Sequence, residues 1–304
     1  MQLTYLCFLL CIFMTIAQHI QAQEHPADTS HFRIETKDGN EYIGQVISEN
    51  DDVLVLRTAS IGDITIRIAD IRQRQKIDHL KVVSGEYWTD NPQSTRYFFS
   101  PNGYGLKKGE GYYQNVWLLF NQLSVGVTNH FSIGGGLVPL FLFGGAATPV
   151  WITPKFSIPV SKDKLNLGIG ALAGVIIGDD GDNSEAESNN GFGILYGTST
   201  FGSRNKNLTV GLGYGFSGSG WARSPTITVS GMTRLNPRWY LITENYYIDA
   251  GGETTLLISG GARVILGKKA GLDFGLAAPF YNDMGTFIAV PWLGLTIPFR
   301  PRQK

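Results

Sequence analysis

Cysteine is nearly missing from this chain: among 304 residues only Cys7 and Cys11 occur, both within the first 23. The remainder carries no thiol for a disulfide, a thiolate metal site or a cysteine nucleophile. Long apolar runs are scarce as well. Beyond residue 23 no stretch reaches the roughly 20 apolar residues of a membrane-crossing helix, so any insertion into a bilayer has to be made by strands. Charged residues make up only 16% of the chain, and 25 basic groups balance 25 acidic ones. From residue 94 onward His130 is the only histidine.

What the chain has instead is glycine, 38 residues of it, and alternation. Leu208, Val210, Leu212, Tyr214 and Phe216 are large and apolar, with Thr209, Gly211, Gly213, Gly215 and Ser217 filling the alternate positions. A strand written this way has one oily face and one small or polar face. From about residue 94 to residue 299 one unit recurs: an alternating stretch, a tight polar turn, another alternating stretch, then a looser connection. Tight turns fall at 128–130, 161–164, 203–206, 236–238 and 267–269, and looser connections at 104–110, 144–148, 179–189, 218–222, 250–253 and 282–285.

That pattern predicts an all-β chain whose main domain is a transmembrane antiparallel barrel, with short turns on the periplasmic side and longer loops outside. Lipid offers no partner for backbone N–H and C=O groups, so the sheet must close on itself. Taking 94–103 as the first strand gives about twelve strands, the last at 287–299; ten is the alternative, because 94–103 is the least regular. An even count brings both ends of the barrel to the tight-turn side. Pro139, Pro154, Pro279 and Pro291 fall inside proposed strands, where each removes a ladder donor, and are expected at rims or bulges. The last strand, ending Leu295, Thr296, Ile297, Pro298, Phe299, resembles the aromatic-terminated final strand of bacterial outer-membrane proteins, although residues 300–304 follow it. This resemblance implies an outer-membrane location.

Residues 1–23 read as a secretory signal, with an apolar segment at 6–16 and Ala22 ahead of Gln23, and with no Lys or Arg before the apolar segment. Residues 24–78 read as a small periplasmic β domain. Lys37, Asp38, Gly39, Asn40 and then Asn50, Asp51, Asp52 are turn sequences between alternating runs, with strands expected at 32–35, 42–47, 53–57 and 64–68 and Ile71 opening a fifth. Their order, with Gly44 in the second strand and Gly62-Asp63 before the fourth, resembles Sm-like sequences, and the size suits an SH3-like barrel. The Sm-like resemblance implies RNA binding. Between residues 24 and 90, however, thirteen acidic residues outnumber eight basic ones, and without a basic face no nucleic-acid partner is expected. Arg72, Arg74 and Lys76 then form a solvated face. Residues 79–93 are a linker, and 94–304 the barrel.

Two sets of residues are candidate sites, and two further sets mark the topology. Glu244, Arg263 and Asp273 lie in alternating strands, where an arginine facing lipid near the midplane would cost about 2–4 kcal/mol, so they should face the lumen. There they either plug a narrow barrel as an ion-pair network or form a constriction that selects solutes. The acidic loop residues Asp179, Asp180, Asp182, Glu185 and Glu187 offer carboxylates to a divalent cation without EF-hand spacing, and a solvated loop is the plainer reading. Lys162, Lys164, Arg204, Lys206, Arg238, Lys268 and Lys269 concentrate positive charge on the tight turns. Trp151, Trp221, Trp239 and Tyr240 lie near strand ends and suit an interfacial aromatic girdle.

Catalysis has little to stand on. A serine hydrolase needs a histidine to take the serine proton, His130 is on a tight turn, and Ser132 reads as a strand serine. Gly134, Gly135 and Gly136 are followed by no helix, so they form no phosphate loop. No cofactor is expected. The expected partners are outer-membrane lipid and a small solute or periplasmic partner reached through residues 31–78. A structural, binding or small-solute pore role is the expectation, with an outer-membrane lipid-modifying enzyme and a secreted β-rich adhesion protein as alternatives.

Overall fold

The computed structural model describes residues 30–77, 82–83, 86–144, 146–178, 191–249, 253–267, 270–281 and 287–299. The leader, the acidic loop residues Asp179, Asp180, Asp182, Glu185 and Glu187, and Lys268 and Lys269 lie outside the described residues. The chain divides into two units, Met1–Tyr87 and Trp88–Lys304.

The first unit holds strands β1 (His31–Thr36), β2 (Glu41–Glu49), β3 (Val53–Thr58), β4 (Gly62–Arg67) and β5 (Ile71–Ile77), then a short pair, β6 (Val82–Val83) and β7 (Glu86–Tyr87). The five-stranded sheet is antiparallel in the order β4-β3-β2-β1-β5. Period-two alternation supplies its core, where Ile34, Leu54, Leu56 and Ile66 pack together. The β1–β2 turn needs a left-handed residue, and Gly39 takes it at φ 90°. At the next turn the Asn50 side chain accepts the backbone N–H groups of Asp52 and Val53. Arg72 pairs with Glu35 and Arg74 with Glu49, so both arginines of the exposed basic cluster of β5 are ion-paired.

The second unit holds β8 (Gly111–Val116), β9 (Phe120–Gly126), β10 (Phe131–Leu137), β11 (Thr148–Ile152), β12 (Lys155–Ser161), β13 (Leu165–Ile177), β14 (Gly191–Gly202), β15 (Lys206–Ser217), β16 (Gly220–Trp221), β17 (Thr226–Arg234), β18 (Trp239–Asp249), β19 (Thr254–Leu266), β20 (Ala270–Tyr281) and β21 (Val290–Phe299). Strands β11 and β12 both pair with β10 and β13 and act as one interrupted stave, while β16 only extends the β15 hairpin. β21 pairs back onto β8, with Phe299 opposite Gly111, so twelve antiparallel staves close into a barrel. Closure leaves no edge strand.

The faces are inverted relative to a water-soluble domain. On β15, Leu208, Val210, Leu212 and Tyr214 point outward and are between 42% and 50% exposed, whereas Asn207, Thr209, Gly211 and Gly213 are buried inside. The same parity puts Glu244, Arg263 and Asp273 inside, where all three are buried.

The expected count of twelve is met by different strands. Residues 94–103 are not part of the wall; they lie in the lumen, with one isolated bridge between Arg96 and Pro101. Residues 104–110, expected as an outer loop, run instead along the tight-turn end, where Lys108 N–H meets Asn129 and Gly109 N–H meets Gly126 O. The missing stave comes from residues 111–127, which form two strands turned at Trp117 and Leu118. Both take positive φ, 53° and 64°, and Asn115 accepts the Leu118 N–H at 3.2 Å. A turn built from Trp and Leu carries none of the usual Asn-Gly or Asp-Gly signal.

The prolines fall near interruptions and ends. Pro139 starts a five-residue helix in the β10–β11 loop, Pro154 sits in the break between β11 and β12, and Pro279 and Pro291 lie near the long-loop ends of β20 and β21. The aromatic girdle is half as expected. Trp221 and Trp239 are exposed, whereas Trp151 and Tyr240 are buried inside the barrel, where Trp151 Nε1 donates to Gln122 and the Tyr240 hydroxyl to Asn205. Tyr240 and Glu244 share a strand parity, so one cannot face lipid while the other faces the lumen.

Candidate functional site: a plugged lumen with a cavity above it

Residues 88–110 enter the lumen at the tight-turn rim, reach mid-height near residues 98–100, and return to the same rim before β8 begins. We call this segment the plug. Its backbone makes two small turns of its own, with Tyr97 N–H to Ser100 O at 3.0 Å and Asn102 N–H to Thr95 O at 3.1 Å in the first and Glu110 N–H to Lys107 O at 2.9 Å in the second. Many of its remaining polar groups are satisfied by inward side chains of the wall, as a segment buried away from water requires.

Arg263 makes the densest set of contacts. Its Nε and Nη2 reach the two Asp273 carboxylate oxygens at 2.6 and 2.8 Å. Its remaining donors go to the plug: Nη1 to Asn91 Oδ1 and Gln93 O, and Nη2 to Gln93 Oε1 and Tyr97 O, between 2.8 and 3.1 Å. The β19–β20 register sets the pair directly opposite each other.

Glu244 is the complementary case. Its Oε2 accepts the consecutive backbone N–H groups of Phe98, Phe99 and Ser100 at 2.9, 3.0 and 3.0 Å, and Oε1 accepts the Tyr246 hydroxyl at 2.6 Å. The sequence-predicted trio is thus split: Arg263 and Asp273 form an ion pair that grips one part of the plug, while Glu244 holds its first turn. Charged groups bound to backbone dipoles in this way make the stronger class of hydrogen bond.

Several further tethers carry no mark among the expected site residues. Lys155 Nζ donates to Thr95 O at 3.2 Å and Tyr104 O at 2.6 Å. Arg204, expected on an exposed turn, folds inward to Ser94 Oγ and Gly105 O and lies over the Tyr104 ring. Arg234 donates to Thr89 O at 2.7 Å and to Pro237 O at 2.6 Å at the tight turn, between the rings of Trp88 and Tyr240. Alternation marks Lys155 as inward, since it shares parity with Ser157 while Phe156 and Ile158 face out; no such signal exists within the plug. Glycine also matters here. A Cβ on Gly103 would stand 2.2 Å from Asn166 O, and Gly168 lies against Gly103 and Asn102, so two glycines let plug and wall backbones touch.

Above the plug, in the long-loop half, lies a cavity of about 390 Å³. Aromatic rings dominate its walls: Phe99 from the plug, with Trp117, Phe120, Trp151, Tyr246 and Trp292 from the barrel. Trp292 packs at a tilt against Phe98 and Trp117, at ring separations of 5.4 and 5.0 Å. Polar groups of the floor are Arg96, Gln114, Gln122 and Glu244. A second, water-sized cavity of about 20 Å³ lies beside Arg96 and Lys155.

His130 is at a tight turn, its Nδ1 3.2 Å from Ser157 O. Among the described residues no group of three or more His, Cys, Asp or Glu side chains is arranged to hold a metal ion.

No family model matches the chain, and no curated protein matches it. The class rests on the structure alone: a closed twelve-stranded antiparallel barrel with almost no helix fits an outer-membrane β-barrel.

Proposed function

We propose that this is an exported outer-membrane protein whose barrel spans the bilayer with its lumen closed by residues 88–110, and whose role is binding rather than free passage of solutes. The observation that carries this reading is the tethering of the plug. Five wall side chains, Lys155, Arg204, Arg234, Glu244 and Arg263, each place at least one hydrogen bond on it, an arrangement an open pore has no use for. The exposed Val, Leu and Phe faces support insertion in lipid, because a water-facing barrel with that belt would aggregate.

The first and last wall strands, β8 and β21, meet at the tight-turn rim, and the plug enters there. With short turns on the periplasmic side, this supports reading residues 24–78 as a periplasmic module. A 3-10 turn, Ile68–Asp70, joins β4 to β5, and β5 returns to pair with β1, which supports reading that module as a small SH3-like unit.

Cell fractionation, heat-dependent gel mobility and planar-bilayer recording test the proposal together. The expected result is a membrane-fraction protein that shifts on heating and passes no steady current. A soluble protein without a shift would remove the membrane reading, and a steady conductance would remove the closed lumen.

A further inference from the structure

We infer that the cavity above the plug binds a single-chain amphiphile taken from the surrounding membrane, its apolar chain among the aromatic walls and its anionic head on Arg96. This rests on the proposed reading that the barrel stands in lipid with the plug in place.

The cavity has the size and make-up of a small-molecule site, which in general occupies roughly 300–1,000 Å³ and combines apolar walls with a few placed polar groups. Its walls are almost wholly apolar, which excludes a sugar or a multiply charged solute, whose polar groups would be left without partners. The floor decides the head. Glu244 is already saturated by three backbone N–H groups and the Tyr246 hydroxyl. Arg96 is different. It donates to Gln114 Oε1 at 3.0 Å, its guanidinium lies over the Tyr112 ring, and among the described residues it forms no ion pair. Lys155, beside the same small cavity, spends two donors on carbonyl oxygens and brings no negative charge. A buried guanidinium with donors to spare at the bottom of an apolar cavity is complementary to a carboxylate.

The wall shows the route. β8 and β9 are six and seven residues long, whereas β13 and β19 reach thirteen. Their turn, at Trp117 and Leu118, is therefore the lowest strand turn of the long-loop rim among the described residues, and Trp117 and Phe120 line the cavity. The cavity thus lies behind the section of wall that separates it least from the membrane. A chain lying in the outer leaflet reaches it sideways, without crossing the plug.

The test uses the full chain in lipid nanodiscs. A dibrominated fatty acid quenches tryptophan on contact, and Trp117, Trp151 and Trp292 line the cavity. The expected result is a saturable quench, displaced by dodecanoate at least about tenfold more tightly than by dodecanol, the difference one charge-assisted hydrogen bond makes. Arg96→Gln should erase that preference by weakening dodecanoate at least about tenfold more than dodecanol, and Leu257→Trp, which fills the cavity, should remove the saturable part. Equal displacement by acid and alcohol would overturn the assignment of Arg96, and a quench that never saturates would overturn the site. Bilayer recording on the same sample separates the two readings: a silent barrel that binds nothing fails this inference alone, whereas a conducting one fails the plugged-barrel reading.

Discussion

Arg263 and Asp273 face each other across β19 and β20, joined by two hydrogen bonds at 2.6 and 2.8 Å, and neither side chain is more than 1% exposed. The pair is not a self-contained ornament of the wall, because the same guanidinium binds Asn91, Gln93 and Tyr97 of the plug.

Removing one partner leaves a buried charge uncompensated, which typically costs about 3–5 kcal/mol. Asp273→Asn should therefore lower unfolding stability by about that much, followed by tryptophan fluorescence in urea. Replacing both residues by leucine should cost less than the sum of the single changes, and strict additivity would show that the pair is not coupled.

Glu244→Ala takes the acceptor away from three consecutive plug amides. Losing even one charge-assisted hydrogen bond is worth at least about 1.5 kcal/mol, so amide exchange at Phe98, Phe99 and Ser100 should speed up by about tenfold or more. Glu244→Gln, which keeps one acceptor oxygen, should fall between. The heat-dependent mobility shift should persist in both, since the wall ladder is untouched.

Gly103→Leu places a Cβ where Asn166 O stands 2.2 Å away, a backbone atom that cannot swing aside. The plug should fail to seat at Thr200, whose hydroxyl now accepts the Gly103 N–H at 2.6 Å. Limited proteolysis should then cut within residues 94–107 of a barrel that still shifts on heating. An uncut plug would show that the wall yields instead.

In the small module the Thr36 hydroxyl, with help from the Asn40 amide, holds the Asp38 carboxyl below its ordinary pKa of 3.8. A lowered folded-state value stabilises the module above the unfolded pKa, and that contribution fades as pH falls through the folded value. A carboxyl ¹³C titration of the full chain should place Asp38 below 3.8, and Thr36→Val should move it back up.

Strand parity carried most of what the sequence could say. It placed Leu208, Val210 and Leu212 outside and Glu244, Arg263 and Asp273 inside, because a membrane barrel has only two faces and a charge tolerates one of them. Parity also contained the answer for Tyr240, which proximity to a strand end obscured. What could not be read was the plug. Residues 88–110 follow no period, since their shape is imposed by wall groups such as Arg263, which lies 170 residues from Gln93 in sequence. The Trp117-Leu118 turn was equally silent, because its left-handed residues are held by Asn115 and not by glycine. Two errors, a plug taken for a strand and a hairpin taken for one strand, cancelled in the count of twelve.

Both ends of the plug leave the lumen by the same rim: Thr89 is tied to Arg234 beside one tight turn, and Lys108 to Asn129 beside another. The segment is therefore a folded-back loop that can be drawn out without threading a chain end through the wall. A pull applied at residue 88 would load Arg234 first, Arg263 next and Glu244 after that, so the tethers would yield in series, like a peeled seam, at far lower force than if all were sheared together.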